Sequence, residues 1–215
     1  MKLRILNLLI IVLFIFMIIS CSTTKIACVG DSITYGSGII GRESLSYPAQ
    51  LQNILGKKYE VQNFGVSGST MLKNGDKSYW AEPEFKSAKN FMPEVVIIML
   101  GTNDSKTFNW NTYKNEFIAD YNSMIQTFKE LNPKSTIYIG LPPPVFENRW
   151  EMQKTVVEFE IIKILKNLAL ENDLKTIDFF TLFQEKSIYF PDGVHPNEEG
   201  AKIMADEVSV RFLNK

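Results

Sequence analysis

The chain has 215 residues, 45% of them hydrophobic and 22% charged, with a formal net charge of −1. These are the proportions of an ordinary globular protein with room for one domain and a sizeable core. No basic patch stands out, which argues against nucleic acid as a partner and predicts only weak attraction to anionic lipid, and one histidine and two cysteines are too few ligands for an ordinary zinc site.

Lys2 and Arg4 precede an apolar run from Leu8 to Ile19, followed by Ser20 and Cys21. The run is shorter than the roughly 20 residues a membrane-spanning helix needs, so residues 1–20 read as an export signal. Ile18-Ile19-Ser20-Cys21 resembles a bacterial lipobox, in which Cys21 is acylated and becomes the mature N-terminus. A plain signal peptide or an uncleaved anchor is the alternative. The expected arrangement is a leader at 1–20, a tether at 21–24 and one domain at 25–215, held at the cell envelope by lipid on Cys21. Such a tether reaches at most about 15 Å. Cys28 lies in an apolar run and is expected to be a small core residue.

Strand-like and helix-like segments then alternate. Residues 25–30 (KIACVG) read as a strand, 46–55 as a helix ended by Gly56, 59–64 as a second strand and 83–92 as a helix. The segment EVVIIML at 94–100 is continuously apolar from Val95 to Leu100, as expected of a strand covered on both faces. Tyr113, Phe117, Tyr121, Met124, Ile125 and Phe128 fall at three- and four-residue spacing and predict a core-facing helix over 112–131. A fourth strand at 135–141, a helix over 151–170, a fifth strand at 175–179 and a last helix from about Asn197 complete the chain. Such alternation implies βαβ units and a mainly parallel sheet with helices on both faces.

In such sheets ligands bind beyond the carboxyl ends of the strands, and the chain's polar and glycine-rich residues collect there. Strand one runs into Gly30-Asp31-Ser32, strand two into Gly65-Val66-Ser67-Gly68, strand three into Gly101-Thr102-Asn103-Asp104, and strand four into a proline-rich loop ending at Arg149-Trp150. Asp192 and His195 lie on the loop before the last helix. A serine hydroxyl needs a base to take its proton, a group to hold that base, and donors for the oxyanion formed. Ser32 can supply the nucleophile and its own N–H, His195 the base, and Asp192 the group that fixes the imidazole tautomer. Gly68 and Asn103 supply further oxyanion donors. Asp31 is expected to brace the loop around Ser32, while Asp104 is left outside the triad.

Gly30-Asp31-Ser32-Ile33-Thr34, Asn63-Phe64-Gly65-Val66-Ser67-Gly68, Gly101-Thr102-Asn103-Asp104 and Asp192-Gly193-Val194-His195-Pro196 resemble, in order, the four blocks of the SGNH or GDSL hydrolases. The resemblance implies a flavodoxin-like α/β fold: a three-layer α/β/α sandwich around a five-stranded parallel sheet. It also implies a Ser32–His195–Asp192 triad, an oxyanion hole at Ser32, Gly68 and Asn103, and no metal or other cofactor. Trp80, Trp110 and Trp150 fall near the same edge and are candidate sugar-stacking residues. The stretches SYPAQL, NFGVSGSTML, GTNDSK and LPPPVF are similar to bacterial sialate O-acetylesterases and acetylxylan esterases. The expected substrate is therefore an acetylated carbohydrate. A lysophospholipase or short-chain lipase of the same family, and a noncatalytic glycan-binding lipoprotein, are the alternatives.

Overall fold

The computed structural model describes residues 23–213; Cys21, the leader at 1–20 and the start of the tether lie outside the described residues. Five strands, β1 (Thr24–Gly30), β2 (Tyr59–Gly65), β3 (Val95–Met99), β4 (Thr136–Leu141) and β5 (Lys175–Asp178), form one parallel sheet in the order β2-β1-β3-β4-β5. The sheet grows from β1 in both directions, so the strand order reverses between β1 and β3. This reversal opens a crevice at their carboxyl ends, where Ser32 follows β1 and Asn103 follows β3.

Alternation along β1 sends Ala27 and Val29 to one face and Ile26 and Cys28 to the other. Helices Pro83–Asn90 and Phe117–Leu131 and the helical segment 154–171 cover the first face; Tyr47–Leu55 and Glu198–Leu213 cover the second. The result is the expected three-layer α/β/α sandwich. Every residue of β3 is buried, and each aliphatic side chain so placed contributes about 1.5–3 kcal/mol. Cys28 is a core residue, and burial pushes its thiol up to about 12.

Two helices differ from the sequence expectation. The helix expected over 112–131 is continuous only from Phe117; ahead of it lies a separate helix, Thr107–Tyr113, joined by a tight turn at Lys114–Glu116. The corner lets Trp110 and Phe117 enter the same core edge to face, with ring centroids 5.5 Å apart. The helix expected from Glu151 starts at Lys154, because Trp150 and Glu151 have φ of 51° and 63° and cannot belong to a right-handed helix.

Candidate active site

Asp31 caps the one-turn helix Ser32–Tyr35 by accepting the Ile33 N–H on Oδ1 at 2.9 Å. Ser32 is therefore held at the mouth of the crevice on the first helical residue after β1. Its Oγ lies 2.8 Å from His195 Nε2, and His195 Nδ1 lies 2.7 Å from Asp192 Oδ2. The other carboxylate oxygen of Asp192 accepts the backbone N–H groups of His195 and Val194 at 2.7 and 2.9 Å. Burial works to raise the Asp192 carboxyl, but these hydrogen bonds outweigh it and hold the group below the usual carboxylate range. Asp192 thus stays ionised and holds the proton on Nδ1, leaving Nε2 to accept from the Ser32 hydroxyl.

Gly193 makes the loop possible. Its φ is 82°, and a Cβ there would meet the Glu147 side chain at 2.8 Å. Its carbonyl accepts the Phe146 N–H at 2.8 Å, and Arg149 donates to the Asp192 carbonyl at 3.3 Å, so the loop after β4 braces the loop carrying the histidine.

Gly68 and Asn103 face the same cleft, which measures about 270 Å³ and is lined by Ser32, Gly68, Asn103, Lys106, Trp150 and His195, with Ser37, Ser67 and Met152. Gly68 has a φ of 82°, a conformation that glycine adopts without strain. Among the described residues, no protein acceptor takes the N–H of Ser32 or of Gly68. Asn103 is buried; its Nδ2 donates to the Ser69 carbonyl at 3.1 Å and approaches Asp31 Oδ2 at 3.5 Å, the outer limit for such a bond. Burial pushes the Asp31 carboxyl up to about 6, against the Ile33 N–H and the nearby His195, which pull it down.

The three tryptophans separate. Trp150 is 49% exposed, lines the cleft, and sits with its ring centroid 5.2 Å from that of His195. Trp110 is turned inward: it is 2% exposed and its indole N–H donates to Glu160 at 3.0 Å. Trp80 packs edge-on against Phe85 and donates to the Met71 carbonyl at 2.8 Å. The sequence expectation of cleft-facing indoles at 80 and 110 is corrected: Trp110 is buried and Trp80 half-buried, each satisfies its one donor inside the protein, and neither lines the cleft. Of the cleft residues the sequence reading passed over, Ser67 and Lys106 stand inside or beside the quoted motifs, whereas nothing in the sequence marks Met152. Among the described residues, no cluster of three or more His, Cys, Asp or Glu side chains is set to hold a metal ion.

A parallel sheet that brings the Ser32 hydroxyl, the His195 imidazole and the Asp192 carboxylate into one hydrogen-bonded chain carries the parts of a serine hydrolase. Residues 28–203 match the GDSL-like Lipase/Acylhydrolase family, and the chain belongs to that family. It is 40% identical over 205 residues to an acetylxylan esterase of Xylanibacter ruminicola, an alignment covering 86% of this chain and 42% of that protein. The chain thus spans less than half of that relative's length. It also shares its fold with a member of the lipolytic protein G-D-S-L family from Veillonella parvula (TM-score 0.66, 22% identity, 90% and 100% of the two chains). The acetyl xylan esterase AlAXEase is similar in the same way (TM-score 0.65, 19% identity, 88% and 100%).

The Asn103 amide can be tested separately from the triad. Asn103→Ala is expected to lower kcat by about 10²–10³-fold with KM little changed, as for other single oxyanion donors. Steady-state kinetics on p-nitrophenyl acetate checks this.

Proposed function

We propose that the chain is a serine esterase that removes acetyl groups from carbohydrate hydroxyls through an acyl-enzyme. Ser32 Oγ attacks the ester carbonyl as His195 Nε2 takes its proton. The oxyanion of the tetrahedral intermediate is held by the N–H groups of Ser32 and Gly68 and the Asn103 amide. The imidazolium then protonates the departing sugar oxygen, leaving acetyl on Ser32. A water, deprotonated by His195, attacks the acetyl carbonyl and releases acetate, and the proton returns to Ser32. Asp192 stabilises the imidazolium in both halves. The observation that carries this reading is the 2.8 Å approach of His195 Nε2 to Ser32 Oγ.

The size of the cleft supports a short acyl group. At about 270 Å³ it falls just below the range of roughly 300–1,000 Å³ usual for pockets that enclose a drug-sized ligand. Trp150 supports a sugar on the alcohol side: it is exposed beside the base, on a backbone whose two consecutive left-handed residues cost about 1–3 kcal/mol each. The 40% identity to an acetylxylan esterase supports a plant-type glycan over sialic acid. Trp150→Ala is expected to raise KM for acetylated xylan about 10-fold and to leave p-nitrophenyl acetate kinetics within about twofold, because only the first substrate needs a platform for its leaving group.

Export and acylation of Cys21 are part of the same proposal. The tether enters β1 at its amino end, whereas Ser32 follows its carboxyl end, seven residues or about 20 Å further on. The described chain therefore enters the sheet at the edge opposite the cleft. That orientation suits a substrate arriving from outside better than a lipid of the anchoring bilayer. Acid release from acetylated xylan, acetylated sialic acid and a lysophospholipid tests the choice, and release from the lysophospholipid alone would overturn the carbohydrate reading.

A further inference from the structure

Asp104 is fully buried, takes no part in the triad, and has both carboxylate oxygens committed. Oδ2 accepts the Met71 N–H at 3.0 Å and Oδ1 the Leu72 N–H at 2.8 Å. Both amides belong to the long irregular loop after β2 that carries Gly68, only three residues before Met71. Asn103, immediately before Asp104, adds a third tie through its bond to the Ser69 carbonyl. We propose that Asp104 is a positioning residue: a clamp that fixes the Gly68 loop against the turn bearing Asn103 and so sets the spacing of the two oxyanion donors.

A carboxylate is a poor choice for mere filling at such a place. Burial penalises its charge and pushes it up to about 7; the Leu72 and Met71 amides pull the other way, and the Asp31 charge adds to the rise. Its value lies in accepting two N–H groups at once, one on each oxygen, through charge-assisted bonds. An asparagine fills the same volume but turns an amide group towards one of those N–H donors. The loop also has a neighbouring tie one residue further from Gly68, in which Asp120, on helix Phe117–Leu131, accepts the Lys73 N–H at 2.8 Å. Asp120 provides the contrast a test needs: same loop, same kind of bond, no link to Asn103.

The role rests on the Ser32 mechanism, because oxyanion donors matter only if an oxyanion forms. Asp104→Asn and Asp120→Asn are compared by circular dichroism, thermal melting and kinetics on p-nitrophenyl acetate. Asp104→Asn is expected to fold and to lose about 10–100-fold in kcat with KM within about threefold. Asp120→Asn is expected to melt earlier and keep kcat within about twofold. Equal losses of kcat in the two variants, or a folded Asp104→Asn with unchanged kcat, would overturn the clamp. If Asp104→Asn does not fold, amide hydrogen exchange of the wild-type protein decides. Exchange at Met71 and Leu72 as slow as in β3 supports the clamp, and exchange at open-loop rates overturns it. That exchange result is independent of activity, so it stands apart from any failure of the Ser32 mechanism.

Discussion

Ser32→Ala is expected to lower turnover of p-nitrophenyl acetate by up to about 10⁶-fold, the scale on which serine hydrolases lose activity without their nucleophile. The fold has no comparable stake in this hydroxyl. Its bond to His195 is one hydrogen bond, contributing about 0.5–1.5 kcal/mol, and the one-turn helix that begins at Ser32 is capped by Asp31 and not by the serine. The variant should therefore melt within a few degrees of the parent and still bind acetylated oligosaccharide. Loss of activity with retained binding separates an esterase from a glycan-binding protein. Parental turnover would reject Ser32 as nucleophile.

His195→Ala is expected to cost a similar factor, because the chain holds no second histidine to stand in as base. Added imidazole should restore part of the rate if the vacated space admits it. In the wild-type protein, acid removes activity as the imidazole takes a proton, for Nε2 can then no longer accept from Ser32. Asp192 should not add a second loss in that range. Its folded carboxyl lies below its ordinary value of 3.8, so its contribution to stability is fully present above that value and disappears only as pH falls further. Rate against pH should fall on the acid side, where the buried carboxyls of Asp104 and Asp31, pushed up to about 7 and about 6, also take up protons. A rate that stays flat to pH 4 would remove His195 from the mechanism.

What was legible in the sequence was what local rules determine. The run at 94–100 could be read as a covered strand because every residue from Val95 to Leu100 is apolar, and the alternation of strands with helices led to a parallel sheet. The four motifs were legible because each sits directly after a strand or before the last helix, so topology alone carries them to one edge. The rest depends on long-range pairing. Trp110 differs from Trp150 only in what lies across from it, Phe117 and Glu160 in one case and His195 in the other, and sequence position does not reveal partners 7 to 50 residues away. The helix corner before Phe117 was hidden for the same reason, since an unbroken periodicity of apolar residues suits one helix or two. The loop after β2 owes its shape to Asp104, Asp120 and Asn109, each of which accepts a backbone N–H from it across more than 30 residues.

The proposed mechanism depends above all on Ser32 Oγ being the atom that attacks. Treatment with an organophosphonate that mimics the tetrahedral intermediate, followed by mass spectrometry of the digested protein, tests this directly. The predicted result is one phosphonylated residue, Ser32, with activity lost in step with labelling and with no labelling in the His195→Ala variant. Complete inactivation with the label on any other residue, or full labelling without the histidine, would contradict it.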